Sequence, residues 1–127
     1  MPRSAKLRKS SEFRVVYGSG RRYDGVLMTA FVLPNPCGQH RLGITASRKV
    51  SRSAVGRNRV KRLLRESFRL SGVTLGELGQ RYDWVLNAKR PLLEVKMVAA
   101  LDDLRKIAGR VAKDERGERL SDELRDS

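Results

Sequence analysis

The stretch of sequence that decides the fold is residues 41–69, which read RLGITASRKVSRSAVGRNRVKRLLRESFR. Residues 41–47 alternate between larger apolar side chains and small or polar ones, which predicts a β-strand with one buried face and one face open to a ligand. In residues 57–69 the apolar side chains follow the i, i+3, i+4 and i+8 spacing of an amphipathic helix. These side chains are Val60, Leu63, Leu64 and Phe68. The strand therefore leads through a basic loop, with Ser53 as the expected N-cap, into a helix that packs on the core.

The opposite face of this helix is almost purely cationic. Residues 57–69 carry a single acid, Glu66, and six cations: Arg57, Arg59, Lys61, Arg62, Arg65 and Arg69. Such a face binds polyanions. Asn58 adds a neutral amide that donates and accepts hydrogen bonds, as contact with a base edge or a hydrated metal ion requires. The apolar face lacks the Trp-rich character of helices that lie on membranes, which favours nucleic acid as the polyanion.

Charge and composition also indicate a polyanionic partner. The chain has 127 residues, which suits one domain, and its 28 Lys and Arg residues exceed its 14 Asp and Glu residues, for a net charge of +14. Residues 40–70 alone carry ten cations and one acid. Because such an excess of charge repels itself in a folded monomer, we expect a standing polyanionic partner.

Catalysis by side chains of this chain is not expected. Cys37 is the only cysteine and His40 the only histidine, which excludes a disulfide framework, a Cys/His zinc site and a His-based triad. Asp102 and Asp103 are adjacent on a predicted helix, so both are expected to be solvated charges. A lone thiol fits a reducing compartment, and no apolar run approaches the roughly 20 residues of a membrane span. We therefore expect a cytoplasmic protein without membrane contact.

A short helix near the N-terminus carries two aromatic side chains of interest. Residues 1–9 are basic and are expected to be flexible, and Ser10 is the expected N-cap of the helix. Phe13 and Tyr17 share one face of it, and Phe31 lies in the first predicted strand. These rings are either core residues or a platform on which unpaired bases stack, and composition leaves both readings open.

The rest of the chain completes a sheet backed by helices. Val26–Leu33 and Tyr82–Ala88 are apolar runs of strand length, and residues 94–113 have the apolar spacing of a second long helix. The order strand, helix, strand predicts a β-α-β crossover, which is right-handed in nearly all proteins. Residues 114–127 are expected to form a mobile tail, which leaves residues 1–113 as a single domain.

The order and spacing of these pieces resemble the protein subunit of bacterial ribonuclease P, the ribonucleoprotein that removes 5′ leaders from precursor tRNA. The resemblance runs from about residue 7 to residue 113. It is carried by Phe-x-x-x-Tyr at residues 13–17, by LGITASRKV at residues 42–50, and by Arg-Asn-Arg followed by Val-Lys-Arg at residues 57–62. Each motif is weak alone, but their order and spacing together are specific.

The resemblance implies an α/β fold of the α+β kind. The implied architecture is a two-layer sandwich whose central, mostly antiparallel sheet has about four strands, a left-handed βαβ crossover and three helices. In that family the RNA subunit performs the phosphodiester hydrolysis with bound Mg²⁺, so the protein needs no cofactor of its own. The implied partners are the ribonuclease P RNA subunit and the 5′ leader of precursor tRNA, bound by a monomeric RNA-binding protein.

The resemblance also implies which residues meet RNA. The leader is expected in a cleft between the first helix and the sheet, lined by Phe13, Tyr17, Phe31, Ser47, Arg48, Lys49, Arg57, Asn58 and Arg65. The catalytic RNA is expected to contact Arg57, Asn58, Arg59, Lys61, Arg62 and Arg69. No protein residue is a certain metal ligand, and the region of Asn58 is the candidate for metal contact. Position 17 is Tyr where the family commonly has Phe, and position 31 is Phe where Tyr is common.

Two other classes of protein remain as alternatives. A ribosomal-type structural protein that binds rRNA has similar charge, but it should show no preference for leader-bearing precursor over mature tRNA. A DNA-binding regulator with the basic helix in a major groove is disfavoured, because the chain lacks a helix-turn-helix partner helix and a dimerisation seam.

Overall fold

Four strands form one sheet, and helices lie on both of its faces. A computed structural model describes residues 5–126 of the protein, with the side chains of residues 119, 122, 125 and 126 left out. The strands are β1 (Arg21–Asp24), β2 (Met28–Pro34), β3 (Arg41–Thr45) and β4 (Tyr82–Ala88). The helices are α1 (Ser10–Ser19), α2 (Ala54–Leu70), the short α3 (Gly72–Gly76) and α4 (Met97–Asp126), with a 3₁₀ turn at Arg90–Glu94.

The sheet is mixed, with the strand order β1-β2-β4-β3. Strand β2 pairs antiparallel with β1 and with β4, whereas β3 pairs in parallel with β4. A parallel pair needs a crossover connection, and α2 supplies it between β3 and β4. The predicted four-stranded, mostly antiparallel sheet with a β-α-β crossover is therefore confirmed, while the hand of the crossover stays a prediction.

The larger core lies between the sheet and the helices α2 and α4. Trp84 of β4 is fully buried in it, together with Val60 and Leu64 of α2. The side chain of Ser53 accepts a hydrogen bond from the backbone N–H of Gly56 at 3.3 Å and so caps α2. The predicted N-cap and the predicted apolar face of this helix are both confirmed.

Helix α1 lies on the opposite face of the sheet. Val16 of α1 and Val85 of β4 are fully buried there, and Phe13 and Phe31 pack against them. Side chains alternate along a strand, so Val85 points away from the larger core that receives its neighbour Trp84. The expected two-layer sandwich describes the sheet with α2 and α4, and α1 adds a third layer over part of the other face.

Asp103 is buried, so the prediction that it is a solvated charge is wrong. Its carboxylate accepts hydrogen bonds from the backbone N–H groups of Val26 at 3.0 Å and Leu27 at 2.9 Å. Both residues lie in the turn between β1 and β2, and for this reason β2 begins two residues later than predicted. The neighbouring Asp102 is exposed and pairs with Lys106 at 3.1 Å, as expected of a solvated charge.

The N-terminal segment is packed where it is described, although the sequence predicts a flexible segment over residues 1–9. Residues 1–4 lie outside the described residues. Leu7 is buried, and its backbone N–H donates to the carbonyl of Leu42 at 3.0 Å, next to a bridge between Lys6 and the same residue. This pairing covers part of the free edge of β3.

Helix α1 begins at a different cap from the predicted one. Ser10 is the first residue of the helix, and Lys9 occupies the N-cap position. The carboxylate of Glu12 accepts hydrogen bonds from the backbone N–H groups of Arg8 at 3.0 Å and Lys9 at 2.9 Å. Glu12 therefore satisfies the backbone donors of the N-cap residue and of the residue before it, and the prediction that Ser10 is the cap is wrong.

Helix α4 continues through residues 114–126, where the sequence predicts a mobile tail. Asp114 accepts a hydrogen bond from the hydroxyl of Tyr23 at 2.6 Å, and burial raises the pKa of that hydroxyl to about 12. Glu115 accepts one from the backbone N–H of Gly79 at 2.8 Å. These acidic side chains tie the helix to β1 and to the loop before β4, past the predicted end of the domain. Among residues 5–126, no helix is long and apolar enough to cross a membrane.

His40 lies partly buried between β4 and α3. Its Nδ1 accepts hydrogen bonds from the backbone N–H of Tyr82 and from the indole N–H of Trp84, both at 3.1 Å. Its Nε2 lies 2.9 Å from the carbonyl oxygen of Leu75 and donates to it. Burial lowers the pKa of His40, because protonation places a charge where the ring is desolvated and removes the acceptor at Nδ1.

Lowering the pH is expected to destabilise the protein through His40. The unfolded chain takes up this proton near its ordinary pKa of about 6.5, whereas the folded chain takes it up at lower pH. The stabilisation is therefore complete above about pH 6.5 and is lost as the pH falls toward the folded pKa. Urea unfolding of the wild type and of His40→Gln checks this, with a smaller loss between about pH 7.5 and about pH 5.5 expected for the variant. Since His40 is the only histidine, an NMR titration at its ordinary pKa would contradict the account.

Candidate nucleic-acid interface

One row of side chains crosses the face of the sheet on which α1 lies. The strand register places Arg22 of β1, Phe31 of β2, Val85 of β4 and Gly43 of β3 side by side. A Cβ atom at Gly43 would come within 2.6 Å of the Phe13 ring. The absence of a side chain at Gly43 therefore lets Phe13 of α1 lie directly on β3.

Tyr17 and Phe31 form an edge-to-face pair on this row. Their ring centroids are 4.8 Å apart, with an angle of 82° between the ring planes. The guanidinium carbon of Arg22 lies 5.8 Å from the centroid of the Phe31 ring. Phe13 and Phe31 are half-buried and pack on the smaller core, whereas Tyr17 is exposed, with 38% of its residue surface open to solvent. Two of the rings thus belong partly to the core, and Tyr17 is the most open of the three.

The next row on the same face is polar. It consists of Asp24, Thr29, Asn87 and Thr45, one residue from each strand. The Oδ1 atom of Asn87 accepts hydrogen bonds from the hydroxyl of Tyr17 at 2.9 Å and from the hydroxyl of Thr45 at 2.6 Å. The hydroxyl of Thr29 donates to Asp24 at 2.8 Å. This face of the sheet therefore changes from apolar beneath α1 to polar in the next row.

A cavity of about 220 Å³ opens between α1, β3 and α2. Its lining includes Phe13 of α1 together with Lys61 and Arg65 of α2. The structure thus brings Phe13 and Arg65 together, as the resemblance implies for two residues on one leader. Lys61 lines the same cavity, although the resemblance assigns it to the catalytic RNA. A ring beside two cations suits a nucleotide, because the ring meets a base while the cations meet phosphate.

A second, larger cavity of about 770 Å³ lies where the parallel strands β3 and β4 end. Strand β3 is predicted to end at Ser47 but ends at Thr45. Ser47 belongs to the following turn instead, where its carbonyl oxygen accepts a hydrogen bond from the backbone N–H of Val50. The cavity is lined by Val50, Ser51 and five cations: Arg48, Lys49, Arg52, Arg57 and Arg90. Because β3 and β4 are parallel, their carboxyl ends lie at the same end of the sheet. The loop after β3 therefore lies beside Arg90, which follows β4. This concentration of cations attracts polyanions.

Arg57 holds the loop that lines the larger cavity. Its Nη1 donates hydrogen bonds to the backbone carbonyls of Ser51 at 3.0 Å and Arg52 at 2.9 Å. These bonds fix the loop against the first turn of α2. The Nε and Nη2 atoms of Arg57 have no partner among residues 5–126, so they are available for contact with phosphate.

Arg59 binds the 3₁₀ turn on the other side of α2. Its guanidinium donates to the carbonyl oxygens of Leu93 at 2.5 Å and Val95 at 3.1 Å. Both arginines of the Arg-Asn-Arg motif therefore bind backbone carbonyls, while Asn58 between them is exposed. The motif positions neighbouring segments of the chain, a role that its sequence does not reveal. The predicted RNA contacts of Arg57, Asn58 and Arg59 stay predictions.

The remaining cations of α2 differ in how far they are occupied. Arg62 and Arg65 are exposed and have no ion-pair partner in the described part of the chain. Arg69 pairs with Glu66 at 2.7 Å, and both side chains are open to solvent. Such an exposed pair is weak, so Arg69 can exchange Glu66 for a phosphate.

Sequence reasoning missed three residues of this surface, Arg22, Asn87 and Arg90. Arg22 lies in β1, which is not predicted because Tyr23 is its one buried side chain. Arg90 lies two residues after the end of β4, and the parallel pairing of β3 with β4 is the signal that would have placed it beside the loop after β3. Asn87 meets Tyr17 only through the packing of α1 on the sheet.

The described residues contain no group of three or more His, Cys, Asp or Glu side chains that could hold a metal ion. Metal contact in the region of Asn58 stays a prediction, since an amide needs an additional ligand or a hydrated ion to form such a site.

Replacing Arg57 with lysine is expected to weaken RNA binding even though the charge is unchanged. A lysine ammonium lacks the planar fork that holds the two loop carbonyls, so the loop with its three cations loses its fixed position. We expect an affinity about fivefold lower, measured by filter binding at constant salt concentration. Arg62→Lys is the matched control, because Arg62 is exposed and has no ion pair with any described residue to lose. Equal losses in the two variants would contradict the positioning role of Arg57.

Comparison with known proteins relates the chain to one family. Residues 1–112 match the sequence profile of the family described as Ribonuclease P. A Ribonuclease P protein component from Methylococcus capsulatus is 41% identical over 105 residues, which is 83% of this chain and 79% of that protein. Another from Clostridium botulinum is 44% identical over 84 residues, which is 66% of this chain and 73% of that protein.

Solved structures share the fold. The RNase P protein from Thermotoga maritima matches with a TM-score of 0.72 at 24% identity, covering 83% of this chain and 96% of that one. The RNase P protein from Staphylococcus aureus matches with a TM-score of 0.69 at 24% identity, covering 81% of this chain and 91% of that one. At this identity the likeness concerns the fold alone.

Proposed function

The chain belongs to the Ribonuclease P family, and from this premise we propose that it binds the 5′ leader of precursor tRNA together with the RNA subunit of the enzyme. As a member of that family it takes part in tRNA processing by an endoribonuclease complex. We assign the hydrolysis to the RNA subunit with its bound Mg²⁺, and binding and positioning of the substrate to the protein. The ring nitrogens of His40, the one histidine, are both engaged in hydrogen bonds within the fold.

The observation that carries the proposal is the joining of aromatic rings and cations on one surface. Phe13 lines the same cavity as Lys61 and Arg65. Tyr17 of α1 and Phe31 of β2 form a ring pair beside this cavity, and Phe31 lies in the same row of the sheet as Gly43. Proteins bind single-stranded nucleic acid with this combination, because rings stack on bases while cations contact phosphates. A duplex presents no unpaired base to such rings, so the surface favours a single strand such as a leader.

The larger cavity and the outer face of α2 support a second contact, with the RNA subunit. Arg52 lines this cavity beside Arg48 and Lys49, which the resemblance assigns to the leader, and Arg62 is exposed on the helix. A folded RNA offers the phosphate density that such a group of cations needs, and its binding weakens as a power of the salt concentration. By screening phosphates near the active RNA, the protein would lower the Mg²⁺ concentration at which the complex works.

Cleavage of precursor tRNA by the cognate RNA subunit tests the proposal. At a near-physiological Mg²⁺ concentration we expect faster cleavage with the protein than without it, and the advantage should shrink as Mg²⁺ is raised. A cleavage rate that the protein leaves unchanged would remove the hypothesis.

Comparing two substrates separates this function from that of a ribosomal-type rRNA-binding protein. We expect the complex to bind leader-bearing precursor more tightly than mature tRNA, since only the precursor reaches the cavity between α1 and α2. A protein that only folds rRNA should bind the two alike.

A further inference from the structure

The side chain of Asn87 has hydrogen-bond donors that no described residue of the protein uses. Its Oδ1 accepts from the hydroxyls of Tyr17 and Thr45, at 2.9 and 2.6 Å. A carbonyl oxygen has two lone pairs, so this atom is fully occupied. The Nδ2 atom has no partner among residues 5–126. No side-chain nitrogen or oxygen of these residues is both buried and unpaired, so Nδ2 is open to solvent.

The two hydroxyls also hold the amide in one position. Tyr17 belongs to α1 and Thr45 to β3, and Asn87 itself lies on β4 between them. Both distances lie in the normal range for hydrogen bonds between a hydroxyl and an oxygen acceptor. The amide is therefore fixed by two separate elements of the fold, and its N–H groups have no partner among the described residues.

We propose that Nδ2 of Asn87 donates a hydrogen bond to the edge of one unpaired leader base, the base that stacks on Tyr17. This inference rests on the leader-binding function proposed above. Tyr17 is 38% exposed as a residue, and its hydroxyl already contacts Asn87. A base stacked on that ring thus has its edge beside the free N–H groups. Stacking gives affinity for any base, and Asn87 adds a preference among bases.

The occupied Oδ1 decides which bases Asn87 prefers. An asparagine that recognises adenine uses its amide oxygen and nitrogen together, as acceptor and donor. Because Oδ1 of Asn87 is occupied, only the N–H groups of Nδ2 remain to bind a base. They match an acceptor on the base edge, either a ring nitrogen or a carbonyl oxygen. A base that turns an exocyclic amino group toward Nδ2 sets two donors against each other and is disfavoured.

Asn87→Asp tests the inference with little change of shape. Aspartate keeps an oxygen for both hydroxyls and replaces the free donor by an acceptor. The affinity of the assembled complex is measured for precursor tRNAs that carry an abasic residue at one leader position at a time. With the intact leader we expect about tenfold weaker binding by the variant. When the abasic residue replaces the one base that Asn87 contacts, the loss of affinity should shrink to the part that the added negative charge causes.

Gln80→Glu is the matched control, because it makes the same change from amide to acid at an exposed residue just before the other end of β4. The small loss of affinity in Gln80→Glu should be the same for the intact leader and for every leader with an abasic residue. Tyr17→Phe is the second variant: it keeps the ring, frees one lone pair of Oδ1 and loosens the amide. We expect about threefold weaker binding, dependent on the same leader position.

The outcomes distinguish the inference from the function on which it rests. Wild-type complex that binds precursor more tightly than mature tRNA, with a loss in Asn87→Asp tied to one position, supports both. If the wild-type complex prefers precursor but the loss in Asn87→Asp is the same whichever leader position is abasic, the role of Asn87 is overturned and the leader-binding function stands. Equal binding of precursor and mature tRNA by the wild type overturns both.

Discussion

Asp103→Ala is expected to lower the free energy of unfolding by about 3 kcal/mol. The carboxylate accepts two backbone hydrogen bonds, from Val26 and Leu27, and Asp103 is 7% exposed. Alanine would leave both N–H groups of the turn without an acceptor, in a place that water reaches poorly. Hydrogen bonds to a charged acceptor are worth more than neutral ones, and an unpaired buried donor adds a desolvation cost.

Asp102→Ala is the matched control for this prediction. The two residues are neighbours on α4, but Asp102 is exposed and its one ion pair, with Lys106, is a surface pair worth about 0.5 kcal/mol or less. Urea unfolding of the two variants and the wild type measures the difference directly. Similar losses in the two variants would show that the turn between β1 and β2 does not depend on α4.

Tyr17→Ala is expected to reduce the affinity of the complex for leader-bearing precursor by about 1–3 kcal/mol, the range for one base stacked on one ring. Affinity for mature tRNA should stay the same, because the ring serves the leader. Tyr17 is the best probe of the three aromatic residues, since Phe13 and Phe31 also pack on the smaller core. Phe31→Ala should likewise weaken leader binding and spare the RNA subunit, but it also removes buried surface from the fold.

Tyr17→Phe controls for the ring itself, and its loss should not exceed the roughly threefold weakening expected from the missing hydroxyl. Binding of the RNA subunit alone, measured for each variant, shows whether the fold and the cationic surfaces are intact. A loss in Tyr17→Ala that is equal for precursor and mature tRNA would contradict the assignment of this ring to the leader.

The elements with a strong local pattern are those that the sequence predicts. Helix α2 shows its apolar spacing and its N-cap, Ser53, within one short stretch. Strand β4 is an apolar run with clear ends, and its predicted bounds are those of the structure. Strand β1 has no such pattern, because it lies at the edge of the sheet and buries one side chain, Tyr23.

The contacts that sequence reasoning missed join residues far apart in the chain. Asp103 binds a turn 76 and 77 residues before it, and Tyr17 binds Asn87 over a separation of 70. No local spacing encodes such pairs, since they depend on where each helix packs on the sheet. The same holds for Arg57, whose charge is evident in the sequence but whose bonds to loop carbonyls are not. The sequence therefore shows most of the cations and rings of this surface, but it does not show which of them position other segments of the chain and which stay open, and their contacts with RNA stay predictions.

Crosslinking of leader nucleotides tests most directly the claim that the leader lies between α1 and the sheet. Precursor tRNA with a photoreactive base at single leader positions is bound to the assembled complex and irradiated, and the crosslinked peptides are identified by mass spectrometry. We expect crosslinks in residues 10–19 and 28–34, which contain Tyr17 and Phe31. Crosslinks confined to α3 and α4, on the opposite face of the sheet, would contradict the account.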